Sequence, residues 1–285
     1  MLAKARDFVL RNARLLERAT FAAHFEGAAA APGLRALAAY QNDDGGFGLA
    51  LEPDKRDPHS QPVDVQFALE TMDAVGDFDM AMAKRACAWL TSVSTEEGGV
   101  PFAMASVNDY PHAPWWETEK DPQANLNPTA AIVGMLRKHR VEHPWVVQAE
   151  AFCWRAIPKI NRTEFHELMP VIAFLSHAPD RARADKAMKD VLDRIAAPDA
   201  VELDPDAVGY VHMPLEWAPT PQHPCRKLFS DAVIVKHLDA LAAKQREDGG
   251  WPISWDPISP AIECEWRGVR TVDALRVLRA YGRGF

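Results

Sequence analysis

A chain of 285 residues with a formal charge of −8 offers no basic surface that nucleic acid or an acidic lipid headgroup would seek, so neither is expected as a partner. A hydrophobic share of 48% is enough for a large core. No Ser/Gly linker or charge block divides the chain, so a single domain over residues 1–285 is expected. Four cysteines, Cys87, Cys153, Cys225 and Cys264, lie far apart without CxxC spacing and read as free thiols of a reducing, cytoplasmic protein.

The N-terminal stretch carries Lys4, Arg6, Arg11, Arg14 and Arg18 at short intervals. It has no uninterrupted apolar run, which argues against a signal peptide or an integral membrane segment. From there on helical periodicity dominates. Helices are expected at 3–24, 32–40, 62–74, 80–93, 127–139, 144–157, 163–176, 181–196, 228–243 and 268–281. Pro62 and Pro128 occupy the place of a first helical residue, the second after Asn127 as cap. Gly76 and Gly282 read as C-terminal stops. Four long segments separate the helices, at 41–61, 94–126, 198–227 and 245–267. Loops of that length are functional or disordered as a rule, and these are rich in Trp, Pro, His and acids, a composition foreign to disorder.

One phrase recurs. Gln41-Asn42-Asp43-Asp44-Gly45-Gly46-Phe47 closes one helical run, and Gln245-Arg246-Glu247-Asp248-Gly249-Gly250-Trp251 closes another. A degenerate copy, Glu96-Glu97-Gly98-Gly99-Val100, lies between them. Gly98 follows Gly45 by 53 residues and precedes Gly249 by 151, intervals that suit a repeat of about 50 residues built on helix pairs. The glycines supply a sharp helix exit, with Gly46 and Gly250 expected in conformations that disfavour a Cβ. The Asp before them accepts backbone N–H groups, the Gln reaches backbone of a neighbouring repeat, and the following aromatic fills the groove between helix pairs.

In these residues the chain resembles the terpenoid cyclases and the protein prenyltransferase β-subunits, whose repeat signature is Gln-x-x-Asp-Gly-Gly-Phe/Trp. The resemblance implies an all-α fold, an α/α toroid of inner and outer helices in about five to six hairpins around a central cavity. It also implies that the four long loops gather at one end of the barrel. It argues for fold more than for chemistry.

The first loop packs Glu52, Asp54, Arg56, Asp57 and His59 into eight residues before a helix. Glu52, Asp54 and Asp57, with His112 of the second loop, are the candidate acid/base groups. A solvated turn whose acids cap the next helix is the competing reading. Arg56, Trp115, Trp116, Tyr210, Trp217, Trp255 and Trp266 are the candidate substrate-binding residues, because adjacent tryptophans such as Trp115-Trp116 either plug a core or wall a ligand site.

Class II terpenoid cyclases protonate their substrate from an Asp-x-Asp-Asp motif. Asp204-Pro205-Asp206-Ala207 lacks the last acid and reads as a helix-capping turn. Prenyltransferases hold zinc on Asp, Cys and His; Cys264 has acids beside it but no His at matching spacing, so neither metal nor cofactor is expected.

An aromatic cavity with carboxylates suits an isoprenoid or similar apolar ligand, held by cation–π attraction. It also suits a sugar chain worked on by a glycan-active hydrolase or lyase. The repeat favours the isoprenoid reading. A toroid that binds ligand or protein without turnover is the third. The sequence leaves open whether the protein is an enzyme, what its substrate is and how many copies assemble.

Overall fold

The computed structural model describes residues 1–161 and 163–284. Those residues are all-α, and extended pairing among them is confined to isolated bridges at Gln41–Phe47, Lys55–His112 and Pro101–Ala124. No described helix is long and apolar enough to cross a membrane. The chain divides into two compact units, unit 1 from Met1–Gly33 with Leu192–Phe285, and unit 2 from Leu34–Val191. The helices α3 (Ala31–Ala38) and α9 (Arg181–Ile195) contain the points of division.

Unit 2 is built around α6 (Leu126–Lys138), which packs on α4 (Pro62–Val75), α7 (Pro144–Ala156) and α8 (Phe165–His177). Its residues are buried on most sides, from Ala130 and Ile132 to Val133 and Leu136. Gly134 lets α8 approach, since a Cβ there would stand 2.5 Å from the Ala173 carbonyl. The remaining long helix, α5 (Met80–Val93), starts on Asp79, whose carboxylate accepts from the Ala81 and Met82 N–H groups at 2.9 Å each.

Unit 1 holds α1 (Leu2–Asn12), α2 (Leu15–Phe25), α10 (Pro214–Trp217), α11 (Asp231–Ala243) and α12 (Pro260–Ala280), with α12 against α1, α2 and α11. Residues 3–24 are thus two helices where one is expected. Ala13 and Arg14 are extended between them, and the Ala13 methyl sits where α12 passes closest, 2.6 Å from a Cβ built on Gly268. Arg18 Nε donates to the Ala13 carbonyl at 2.8 Å, so a carbonyl the helix gives up is satisfied locally.

The three glycine turns are the same object. In each, the residue three before the first glycine exchanges backbone bonds with the pair: Asn42 N–H with Gly46 O and Gly45 N–H with Asn42 O, both 2.9 Å. Thr95 with Gly98–Gly99 and Arg246 with Gly249–Gly250 repeat this at the same lengths. Positive φ falls on the first glycine of each pair, Gly45, Gly98 and Gly249, rather than on Gly46 and Gly250 as expected. The second glycine is needed for space: a Cβ on Gly46 would come 2.6 Å from Trp89, on Gly99 2.7 Å from Phe152, and on Gly250 2.7 Å from Phe8.

Each turn thereby clamps an i, i+4 pair on another helix, Arg85/Trp89 of α5, Gln148/Phe152 of α7 and Lys4/Phe8 of α1. The side chains act as the phrase implies. Asp44 and Asp248 accept from the Gly46 and Gly250 N–H groups. Gln41 Nε2 donates to Gly45 O and Met82 O, and Gln245 Nε2 to Gly249 O and Met1 O. Phe47, Val100 and Trp251 are buried.

Three further expectations are corrected. Asn125, not Asn127, caps α6, while Asn127 keeps a non-helical backbone. Asp204 accepts from the Asp206 N–H at 3.1 Å in a local turn with no helix behind it. The fourth long loop expected over 245–267 is helical from Pro260, capped by Ser259, so Glu263, Cys264, Glu265, Trp266 and Arg267 lie on α12. Arg267 belongs to the third turn: it binds both oxygens of Asp248 at 2.8 Å and covers the Phe8 ring at 4.5 Å.

Candidate functional site

Loops 41–61 and 94–126 meet in unit 2. Arg56 N–H donates to Pro111 O at 2.9 Å and Ala113 N–H to Asp54 O at 2.8 Å, an antiparallel bridge centred on Lys55 and His112. The bridge brings Glu52, Asp54, Arg56 and Asp57 alongside His112, Trp115 and Trp116. Glu52, Asp54, Lys55, Asp57 and Asp64 are all buried, an unusual concentration of charge for a protein interior.

Lys55 is the hub. Its ammonium pairs with Asp64 Oδ2 at 2.5 Å, both side chains being fully buried, and lies 5.6 Å from the centroid of the Trp116 ring. Asp64, third residue of α4, also accepts the Glu52 N–H at 2.8 Å, so the helix start fixes the loop. Burial pushes the Asp64 carboxyl above its ordinary value, and the opposing pull of Lys55 does not cancel it.

Glu52 lies beside this pair. Its Oε2 has no hydrogen-bond partner. Burial, with the charges of Asp54 and Asp64 against only Lys55 and one backbone N–H of Asp54, raises its pKa to about 8. Glu52 and Asp64 share one ammonium, and Glu52, which has no direct bond to it, is pushed towards its protonated form.

Asp57 is held differently. Oδ1 accepts the His59 N–H at 2.9 Å and faces His59 Nδ1 at 2.8 Å; Oδ2 accepts Gln61 Nε2 and Ser106 Oγ, each at 2.6 Å. The His59 side chain is 61% exposed, so its other nitrogen looks to solvent. His112 donates from Nδ1 to Tyr110 O at 2.7 Å, which leaves its Nε2 as the acceptor.

The two tryptophans part company. Trp116 is 5% exposed and stacks on Phe102, centroids 4.6 Å apart and planes 10° from parallel, within an apolar group of Val63, Ala103, Val107 and Ala113. Its Nε1–H has no acceptor. Trp115 is 47% exposed.

The other candidates fall in unit 1. Trp217 is buried at the end of α10. Tyr210, Trp255 and Trp266 form an edge-to-face chain, with centroids 6.0 Å apart for the first pair and 5.2 Å for the second. All four cysteines are free, and burial raises the thiols of Cys87 and Cys225 to about 12. No group of His, Cys, Asp or Glu among the described residues is arranged to hold a metal ion.

Lys55, Asp64, Gln61 and Ser106 are absent from the candidate set drawn from sequence, although they build the centre. Asp64 carried a readable signal: an acid between Val63 and Val65 on the first turn of an otherwise apolar helix. Ser106 carried none, since its role depends on which loop meets which. No protein-family model matches this chain, and no curated protein matches it.

Proposed function

We propose that this chain is a helical-hairpin protein of the terpenoid cyclase and prenyltransferase β-subunit type, closed as an α/α toroid. In this reading it binds a neutral, apolar small molecule of the isoprenoid class at the carboxyl–lysine centre of unit 2, where Glu52 supplies a proton. Three equivalent glycine turns, each clamping an i, i+4 pair, support the repeat architecture.

The observation that carries the chemistry is Glu52: a carboxyl 2% exposed, with Oε2 unpartnered and its proton retained to about pH 8. Such a group can donate a proton to a double bond or oxygen of a bound ligand. The carboxylate then left behind would face Lys55, which stabilises it. The apolar wall of Phe102, Val63 and Trp116 beside the same lysine suits a ligand without charge.

The test is thermal protection by prenyl alcohols and ketones, followed by product analysis. The expected result is protection of both wild type and Glu52→Gln, with product from the wild type alone. Protection by oligosaccharides instead would replace this reading with a glycan-active hydrolase or lyase. Protection with no product from either protein would leave a binding scaffold.

A further inference from the structure

We infer that His59 is a nucleophile, positioned by the buried carboxylate of Asp57, and that it takes acyl groups from thioesters or aryl esters. The inference does not rest on the ligand reading above, since the reacting nitrogen lies on the solvent side of the loop.

Asp57 is wholly buried, and its carboxylate offers only lone pairs. His59 Nδ1, 2.8 Å from Oδ1, is therefore the ring nitrogen that carries the proton. That leaves the lone pair on Nε2, on a side chain 61% exposed. The carboxylate is itself held from behind. Gln61 Nε2 and Ser106 Oγ each donate to Oδ2 at 2.6 Å, and Gln61 Oε1 accepts the Met104 N–H at 2.7 Å, which fixes the amide. This chain of bonds runs from the cap residue of α4 into loop 94–126, so the imidazole is oriented by the helix start and by both loops. When Nε2 attacks a carbonyl carbon the ring becomes positive, and the carboxylate beside Nδ1 stabilises it. A phosphoryl donor would bring negative charge towards that carboxylate, so a neutral acyl group is favoured. The Tyr110 ring, centred 5.6 Å from the His59 ring, offers it an apolar face. In the first step the acyl–Nε2 bond forms and the carbonyl–sulfur or carbonyl–oxygen bond breaks, its electron pair leaving on thiolate or phenolate. In the second, water adds to the acyl-imidazolium and the acyl–Nε2 bond breaks. Carboxylic acid and neutral His59 result, and one proton passes to the departed anion. Thiols and phenols ionise near pH ~8.5 and ~10 and leave as anions, whereas alkoxides are far more basic and do not.

The full chain is assayed with 4-nitrophenyl acetate, and its ten histidines are ranked by rate of modification with diethyl pyrocarbonate, resolved by peptide mapping. His59→Gln, a change at an exposed side chain, should lower ester hydrolysis about tenfold, and His59 should be the first histidine modified. Asp57→Asn should slow modification of His59 about threefold or more relative to the other histidines of the same sample, because a neutral amide no longer stabilises the positive ring. An Asp57 that merely holds the loop would instead free the ring and speed its modification, which overturns the positioning role. Should Asp57→Asn misfold, the imidazole ¹⁵N resonances of the wild type decide: a neutral His59 ring protonated on Nδ1 is expected, and a proton on Nε2 overturns the inference. Hydrolysis by His59→Gln within about twofold of wild type, or another histidine modified first, also overturns it.

Discussion

Lys55 and Asp64 form a 2.5 Å ion pair from which solvent is wholly excluded, the lysine coming from a loop and the aspartate from the first turn of α4. Removing one partner strands the other. Lys55→Met should cost about 3–5 kcal/mol in urea unfolding, because Asp64 is left charged or protonated in an apolar site. Lys55→Met combined with Asp64→Leu should recover more than half of that loss. A double variant as unstable as the sum of the two singles would show that the pair is not coupled.

Glu52 makes stability depend on pH in a direction opposite to most carboxylates. Its pKa rises from 4.5 to about 8 on folding, so between those values the folded protein keeps a proton that the unfolded chain has released. Its contribution is therefore fully present below pH 4.5 and is lost as pH climbs through 8. Glu52→Gln cannot titrate. Relative to wild type it should gain on the order of a few kcal/mol between pH 5 and pH 8.5, read from urea midpoints at each pH. A constant difference across that range would refute the shift.

Positive φ and crowding separate among the glycines. Gly76 ends α4 at φ +80 with nothing within 4 Å of a Cβ, so Gly76→Ala should cost about 1–2 kcal/mol. Gly249 has φ +94, and a Cβ would fall 2.1 Å from the Lys4 carbonyl. Gly249→Ala should cost about 3 kcal/mol or more, with exchange of the α1 amides rising in parallel. Equal melting temperatures for the two variants would contradict the clamp.

Asp57 accepts four hydrogen bonds with both oxygens and has no room to turn. Asn in its place presents an NH2 group to two donors. Asp57→Asn should cost about 2–4 kcal/mol and loosen His59 and Ser106 together, seen as faster amide exchange at both. Loosening of His59 alone would mean that Ser106 is held by something else.

The repeat was legible because its signal is local: Asp44, Asp248 and the glycines act within seven residues. The same locality explains the helices that begin on Pro62 and Pro144. What escaped depends on distant chain. Nothing between Asn12 and Leu15 announces the break there; it falls where Ala13 packs against Gly268 of α12, some 250 residues away in sequence. The start of α12 did carry a cap, Ser259 with Pro260, but Arg267, Glu265 and Glu263 disguised a helix whose buried arginine serves a turn. In the centre, the acids of the first loop stood out by density. Lys55, which pairs with Asp64 beside Glu52, looked like one more solvated charge until the second loop was laid over it.

The third glycine turn has a consequence for the order of events during synthesis. Its clamp closes on Lys4 and Phe8, residues made some 240 positions earlier. Unit 2 is continuous in sequence, from Leu34 to Val191, so the partners of its two glycine turns are all translated by Phe152. The first helix packs on α2 at once, but Lys4 and Phe8 must wait for their clamp until Gly249 and Gly250 are translated. In a cell, that interval is when the nascent chain is most exposed to chaperones and proteases.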